Sequence, residues 1–294
     1  MRILGAVLHR PSIVVRDSHA GWSLAPNLRK VVVTGNGGSY RLSTEAHGRR
    51  VAYPGERPVP DSTPRVILLG DSFVNAVIVE DEETFGWRLA SQFPHVQVVN
   101  LGVLGYSPSQ ELIRLEQFVA ENPRVAIGAI VMLITENDFR DAQLADDPFL
   151  GRSKPLLRVG ASGLERLPYR PAFRDVLMDQ SRLIWLVSSK FAIWFAPPPA
   201  PMAPGRPVVE AAIAAVRELA RSKGARLHLF GYRRVTGSEV DDQLWQQFLG
   251  ATGAVEITET FRGDPGLIGY DRGHWSAAGH QRAAELFGKA LASP

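Results

Sequence analysis

The chain has 294 residues, 45% of them hydrophobic and 21% charged, with a formal net charge of +3 at pH 7. That is enough chain for one large domain or a core with an appendage, and the composition is that of a globular enzyme. Cysteine is absent, which excludes disulfides, thiolate nucleophiles, zinc ribbons and iron–sulfur clusters, and no lysine-rich tract or charge block marks a nucleic-acid partner.

The first residues, Met1 to Arg10, hold too short an apolar run for a signal peptide and no small-residue cleavage site. The expected compartment is therefore the cytoplasm, or the periplasm or exterior if a leader has been removed. No stretch approaches the roughly 20 apolar residues of a membrane span. Residues 1–60 lack helical periodicity. Val31–Thr34 reads as a strand, Gly35-Asn36-Gly37-Gly38 as a turn, and Tyr40–Ser43 as a returning strand. Pro54, Pro58, Pro60 and Pro64 then mark a stiff connection. This region is expected to be a β-rich N-terminal extension packed on the edge of a main domain spanning 61–294.

From Arg65 the pattern alternates strand and helix. Val66–Leu69 is a strand, and Thr84–Phe93 has helical spacing with Phe85, Leu89 and Phe93 on one face. Val96–Asn100 is a second strand. Ser107 caps a helix that has Pro108 at its first position. Val125–Ile134 is apolar throughout, as a strand covered on both faces must be. Helices over Pro207–Ser222, Asp241–Leu249 and Ser276–Leu291 and strands over Arg226–Phe230 and Ala254–Ile257 complete the series. Repeated strand–helix units predict an α/β protein, a mainly parallel sheet with helices on both faces. Between 141 and 207 the rhythm breaks. That segment holds Trp185, Trp194 and the run Pro197–Pro201, and reads as a lid-like insertion or an irregular loop.

The chemistry concentrates where Val66–Leu69 runs into Gly70-Asp71-Ser72. A strand that turns there into a helix lifts a serine hydroxyl to the carboxyl edge of the sheet, where open α/β proteins place their sites. Serine needs a base to take its proton and a carboxylate to orient that base. Asp271-Arg272-Gly273-His274 supplies both: the spacing lets Asp271 reach Nδ1 of His274 and leaves Nε2 for Ser72. Donors for an oxyanion are the N–H of Gly105, with Gly102 as its competitor, the side-chain amide of Asn137, and the N–H of Ser72 at a helix N-terminus. Asp71 is expected to brace the serine turn. Tyr106 and Trp275, beside these blocks, are assigned to substrate contact. His280 is read as a packed or capping imidazole.

The ordered blocks, Gly-Asp-Ser, a glycine block after the second strand, Asn137-Asp138 after the third, and a late Asp-x-x-His, resemble the SGNH/GDSL hydrolase family. They span Gly70 to His274. One departure is Thr135, which stands where that family has glycine before the Asn-Asp pair. The resemblance implies a three-layer α/β/α sandwich and hydrolysis of esters or thioesters without metal or other cofactor. It assigns Ser72 as nucleophile, His274 as base, Asp271 as its orienter, and Gly105 and Asn137 as oxyanion donors. It further implies that the partner is a small-molecule or glycan ester, with acetyl on a carbohydrate or small alcohol as the expected substrate. Three alternatives stand beside it: an O-acyltransferase with the same triad, a lysophospholipase or thioesterase, and a non-catalytic glycan-binding module. There is no Gly-x-Ser-x-Gly elbow, phosphate loop, dinucleotide glycine motif or metal-ligand spacing. Oligomeric state has no signature in the sequence.

Overall fold

The computed structural model describes residues 13–35, 37–53, 59–181, 201–234 and 242–293, with 183–185, 187, 188 and 194. The expected features at Met1 to Arg10, Asn36, Pro54, Pro58, Asp241 and 197–200 lie outside the described residues, and Leu183–Val187 is described only in part.

Two antiparallel hairpins open the chain: β1 (Val14–Asp17) with β2 (Gly21–Leu24), and β3 (Val31–Gly35) with β4 (Gly38–Leu42). The alternating units follow: β5 (Arg65–Leu69), α1 (Ser72–Asn75), α2 (Phe85–Gln92), β6 (Gln97–Asn100), α3 (Pro108–Glu121), β7 (Ile127–Thr135) and α4 (Asp138–Asp141). The 141–207 region contains a third hairpin, β8 (Leu157–Gly160) with β9 (Gly163–Arg166), and α5 (Phe173–Gln180). The chain then forms α6 (Met202–Ser222), β10 (Arg226–Tyr232), α7 (Asp242–Thr252), β11 (Val255–Glu256), α8 (Thr258–Phe261) and α9 (Ala277–Ala292). Among the described residues no helix is long and apolar enough to cross a membrane.

Local sequence explains the helix starts. Ser107 and Gln110 form a reciprocal capping box before Pro108, and Ser276 Oγ accepts the N–H of Gly279. α6 begins five residues before the expected Pro207. Proline inside a helix removes a backbone donor, but docking compensates: Gly205 lies so close to the Phe139 carbonyl that any Cβ would overlap it, and Met202 is buried. β11 is shorter than expected, with Val255 58% exposed at the sheet edge.

The five-stranded sheet has the order β6-β5-β7-β10-β11, and every pairing is parallel. Alternation along the strands divides the core into two layers. Ile67, Leu69, Ile130, Met132 and Ile134 pack with Leu115, Ile213, Val216 and Phe248 on one face. Val66, Leu68, Val98, Val131 and Leu133 pack with Phe85, Leu89, Ala284 and Phe287 on the other. The result is a three-layer α/β/α sandwich. The strand order reverses direction between β5 and β7, so the carboxyl ends of those strands flank the crevice where such sheets hold ligands.

The N-terminal hairpins lie over this end of the sheet. Trp22, fully buried, donates Nε1–H to Leu104 O at 3.0 Å, and Gln110 Nε2 donates to Ala20 O at 2.7 Å. Arg50 ties the same region to the segment after β5. Its guanidinium pairs with Asp81 at 3.1 Å and donates to the carbonyls of Asn75, Ala76 and Val79, and both side chains are buried. Removing one partner of a buried pair strands the other charge, which costs about 3–5 kcal/mol. Arg50→Ala should lower unfolding stability in denaturant titrations by about that amount, and Arg50→Ala with Asp81→Asn by less; a loss below about 1 kcal/mol for the single variant would contradict this role.

Candidate active site

β5 ends in three consecutive residues that aim the serine. Gly70 has φ +155, and a Cβ there would meet Val74. Asp71 caps α1, its Oδ1 accepting Phe73 N–H at 2.9 Å. Ser72 follows as the first helical residue. The helix is only four residues long, so the expected N-terminal field reduces to single backbone N–H groups. Its exit is strained: Ala76 has φ 61 and Ile78 φ 70. A β-branched residue in that region is an outlier that its surroundings must hold, and Arg50 grips the carbonyls on either side.

The base arrives on a loop closed by a bridge between Ile268 and Trp275. Inside it, Gly269 N–H donates to His274 O at 2.8 Å, and Arg272 takes φ 58. Asp271 Oδ1 accepts the N–H groups of Gly273 and His274, both at 3.0 Å. Its Oδ2 lies 2.6 Å from His274 Nδ1, while Nε2 of the same ring is 2.7 Å from Ser72 Oγ. Burial pushes the Asp271 carboxyl up, but the hydrogen bonds from the His274 ring, the His274 N–H and the Gly273 N–H outweigh it and leave it at about 2. The carboxylate is therefore ionised throughout the neutral range, with its charge facing the Nδ1 side of the ring.

Asn137 follows β7 and enters the same cleft. Its Nδ2 donates to Asp71 Oδ2 at 3.2 Å and to Asp141 Oδ2 at 3.0 Å, and its Oδ1 lies 2.9 Å from Thr135 Oγ1. Thr135, the departure from the family pattern, also reaches Asp71 Oδ2 at 3.1 Å, and its N–H donates to Asp138 Oδ2 at 2.7 Å. A glycine there would lack this link between the serine turn and the asparagine. Behind them Asp138 and Glu111 are fully buried, and burial raises both well above the usual carboxylate range, with repulsion from Asp71 adding to it for Glu111 and from Glu111 and Asp71 for Asp138.

Gly105 lines the cleft with φ +74. Gly102 does not: its N–H is held by Asn100 Oδ1 at 2.9 Å, and a Cβ there would run into Val74. The two aromatic substrate contacts are corrected. Tyr106 is fully buried and donates its hydroxyl to Trp22 O at 2.5 Å, so it fastens the N-terminal hairpin. Trp275 is also fully buried, stacked on Phe261 at 4.6 Å and packed edge-on against Phe73 and Tyr232. Bracketing the histidine loop with bridging strand residues turned that side chain inward. His280 sits in the core, its Nδ1 accepting Phe85 N–H at 3.4 Å, and burial holds it well below the usual imidazole range.

The cleft above Ser72 has a volume of about 500 Å³. Its floor is polar, with Ser72, Asn137, Asp147 and Arg140, and its walls include Val33 and Tyr40 from the second hairpin, Ile78, Leu104, Phe149 and Tyr270. Sequence reasoning missed Asp141, Asp147, Arg234 and the hairpin wall. Asp141 had a signal, because it stands one helical turn after Asn137 and so shares its face. Asp147 had none.

No protein-family model and no curated protein matches the chain. Among solved structures it is similar to TesA at 13% identity and TM-score 0.45, over 78% of this chain and 98% of that one. It is similar to the psychrotrophic esterase EstA from Pseudoalteromonas sp. at 11% and 0.40, over 77% and 96%. The acetylxylan esterase Axe2 from Geobacillus stearothermophilus matches at 15% and 0.40, over 79% and 96%. Likeness of this degree lends the chain none of those activities.

A depressed pKa contributes stability above the unfolded-state value that disappears as pH falls through the folded one. For Asp271 the window lies between 3.8 and about 2. The stability advantage of wild type over Asp271→Asn should be constant above about pH 5 and shrink on acidification toward pH 2. A difference that stays flat across that window would contradict the hydrogen-bonded carboxylate.

Proposed function

We propose that the protein is a serine-dependent ester hydrolase of the SGNH/GDSL type. The observation that carries the reading is the unbroken relay from Asp271 Oδ2 through both nitrogens of His274 to Ser72 Oγ, at 2.6 and 2.7 Å. In the first step His274 Nε2 takes the hydroxyl proton as Ser72 Oγ bonds to the ester carbonyl carbon. The carbonyl π pair moves to oxygen, and the N–H groups of Ser72 and Gly105 and the Asn137 amide stabilise that oxyanion. Collapse expels the alkoxide, which takes the proton from Nε2. Water then attacks the acyl-serine by the same route: His274 accepts its proton and returns it to Ser72 as the acid departs. Asp271 holds the ring in the tautomer with Nδ1–H and offsets the imidazolium charge.

Asn137 donates in this scheme by turning one amide N–H from Asp141 to the oxyanion. Asp71 keeps the other, so the side chain stays anchored while it donates. The acyl group is short, acetyl being what the family resemblance implies, and the alcohol is a carbohydrate or similar small molecule. A polar floor under aromatic walls, with Tyr270 and Phe149 45% and 62% exposed, suits a ring bearing hydroxyls on its edge and apolar C–H on its faces.

Ser72→Ala should abolish hydrolysis of p-nitrophenyl acetate with an unchanged circular dichroism spectrum. Asn137→Ala should lower kcat by about 100-fold or more, the usual loss of an oxyanion donor. Wild-type rates in Ser72→Ala would overturn the assignment.

A further inference from the structure

Asp147 lies on the segment after α4, in the region that interrupts the strand–helix rhythm, yet it lines the catalytic cleft. The side chain is 1% exposed. One oxygen is fixed: Oδ1 accepts the N–H groups of Phe149 at 2.8 Å and Leu150 at 2.5 Å. The other is not. Oδ2 accepts no hydrogen bond from the described residues and rests against Gly105, so close that a Cβ on that glycine would stand 2.5 Å from it. Gly105 is thus required for more than its positive φ, because it also makes room for this oxygen.

An acceptor desolvated on one side and open to a ligand cleft on the other is costly when empty and favourable when a donor fills it. We propose that Asp147 Oδ2 is a specificity subsite that accepts a hydrogen bond from a hydroxyl on the alcohol half of the ester, so that polyhydroxylated alcohols are selected over apolar ones. The inference rests on the hydrolase reading above and adds to it the chemistry of the leaving group. Arg140 and Arg234 line the same cleft and raise the cost of a cationic group there, which leaves a neutral hydroxyl as the fitting donor. Burial pushes the Asp147 carboxyl up to about 6, with Lys154 acting in the opposite sense and Asp141 adding to the rise. It is ionised at neutral pH, where its hydrogen bond to a hydroxyl is strongest.

The test pairs two acetate esters of matched shape: methyl 6-O-acetyl-hexopyranoside and cyclohexylmethyl acetate, which carries no hydroxyl. The readout is the ratio of their kcat/KM values. Wild type should favour the sugar ester, and that preference should fall about tenfold or more in Asp147→Ala, as for a lost hydrogen bond to a charged group. In Asp147→Asn it should fall by less, since the amide oxygen keeps both backbone contacts while its N–H still faces the hydroxyl. The Asn variant stands alone if the Ala variant misfolds. A wild-type ratio near one, or a ratio unchanged in the folded variants, overturns the subsite even where both rates drop, and leaves the Ser72 assignment standing. Absence of Ser72-dependent turnover of either ester in wild type overturns the hydrolase reading and the subsite with it.

Discussion

Ser72 Oγ and His274 Nε2 meet at 2.7 Å although 202 residues separate them in the chain. Such a contact holds only if two independent segments are both fixed to within a fraction of an ångström. β5, buried along its whole length, fixes the first. The second depends on a loop whose ends are pinned by the Ile268–Trp275 bridge and whose interior is folded around the Asp271 carboxylate. Trp275 connects the two, since it packs against Phe73, the residue next to the serine. Phe73 in turn lies 5.0 Å from the His274 ring. Apolar packing therefore sets the distance across which a proton has to move.

The N-terminal hairpins contribute to this geometry from the opposite side. Arg50 satisfies the carbonyls at the strained exit of α1, where no helical partner exists for them. Val33 and Tyr40 of the second hairpin close the cleft that the sheet alone would leave open. An acidic group, Asp71, Glu111, Asp138, Asp141 and Asp147, each buried, gathers at the cleft, with Asp141 and Asp147 in its lining. Burial raises Asp71, Glu111, Asp138 and Asp147 above the usual carboxylate range. Asn137 is held between two members of this group, which fixes the amide without spending an apolar contact on it.

Much of this was legible in the sequence because it rests on local rules. The two central strands, β5 and β7, are near-continuous apolar runs, the helix starts carry their caps, and Asp-x-x-His spacing folds into a self-contained turn. Tyr106 and Trp275 were misread because adjacency in sequence says nothing about which way a side chain faces. Both point inward, one holding a hairpin and the other a core layer. The start of α6 was displaced because Pro207 looks like a first helical residue, whereas tertiary docking at Gly205 extends the helix past it. Asp147 and the hairpin wall left no local trace, since they reach the cleft only through long-range packing: Leu150, beside Asp147, packs with Trp22, and Tyr40 with Leu24 and Leu28. The Gly102 and Gly105 alternatives separate only once the hydrogen bond from Gly102 N–H to Asn100 is seen.

The central claim is that Ser72 is a nucleophile activated by His274. Incubation of the native protein with a fluorophosphonate, followed by peptide mass spectrometry, tests it without knowledge of the natural ester. The account predicts a single stoichiometric adduct on Ser72 that is lost in His274→Ala although the serine is still present. No adduct, an adduct on another residue, or equal labelling of Ser72 in His274→Ala would contradict it.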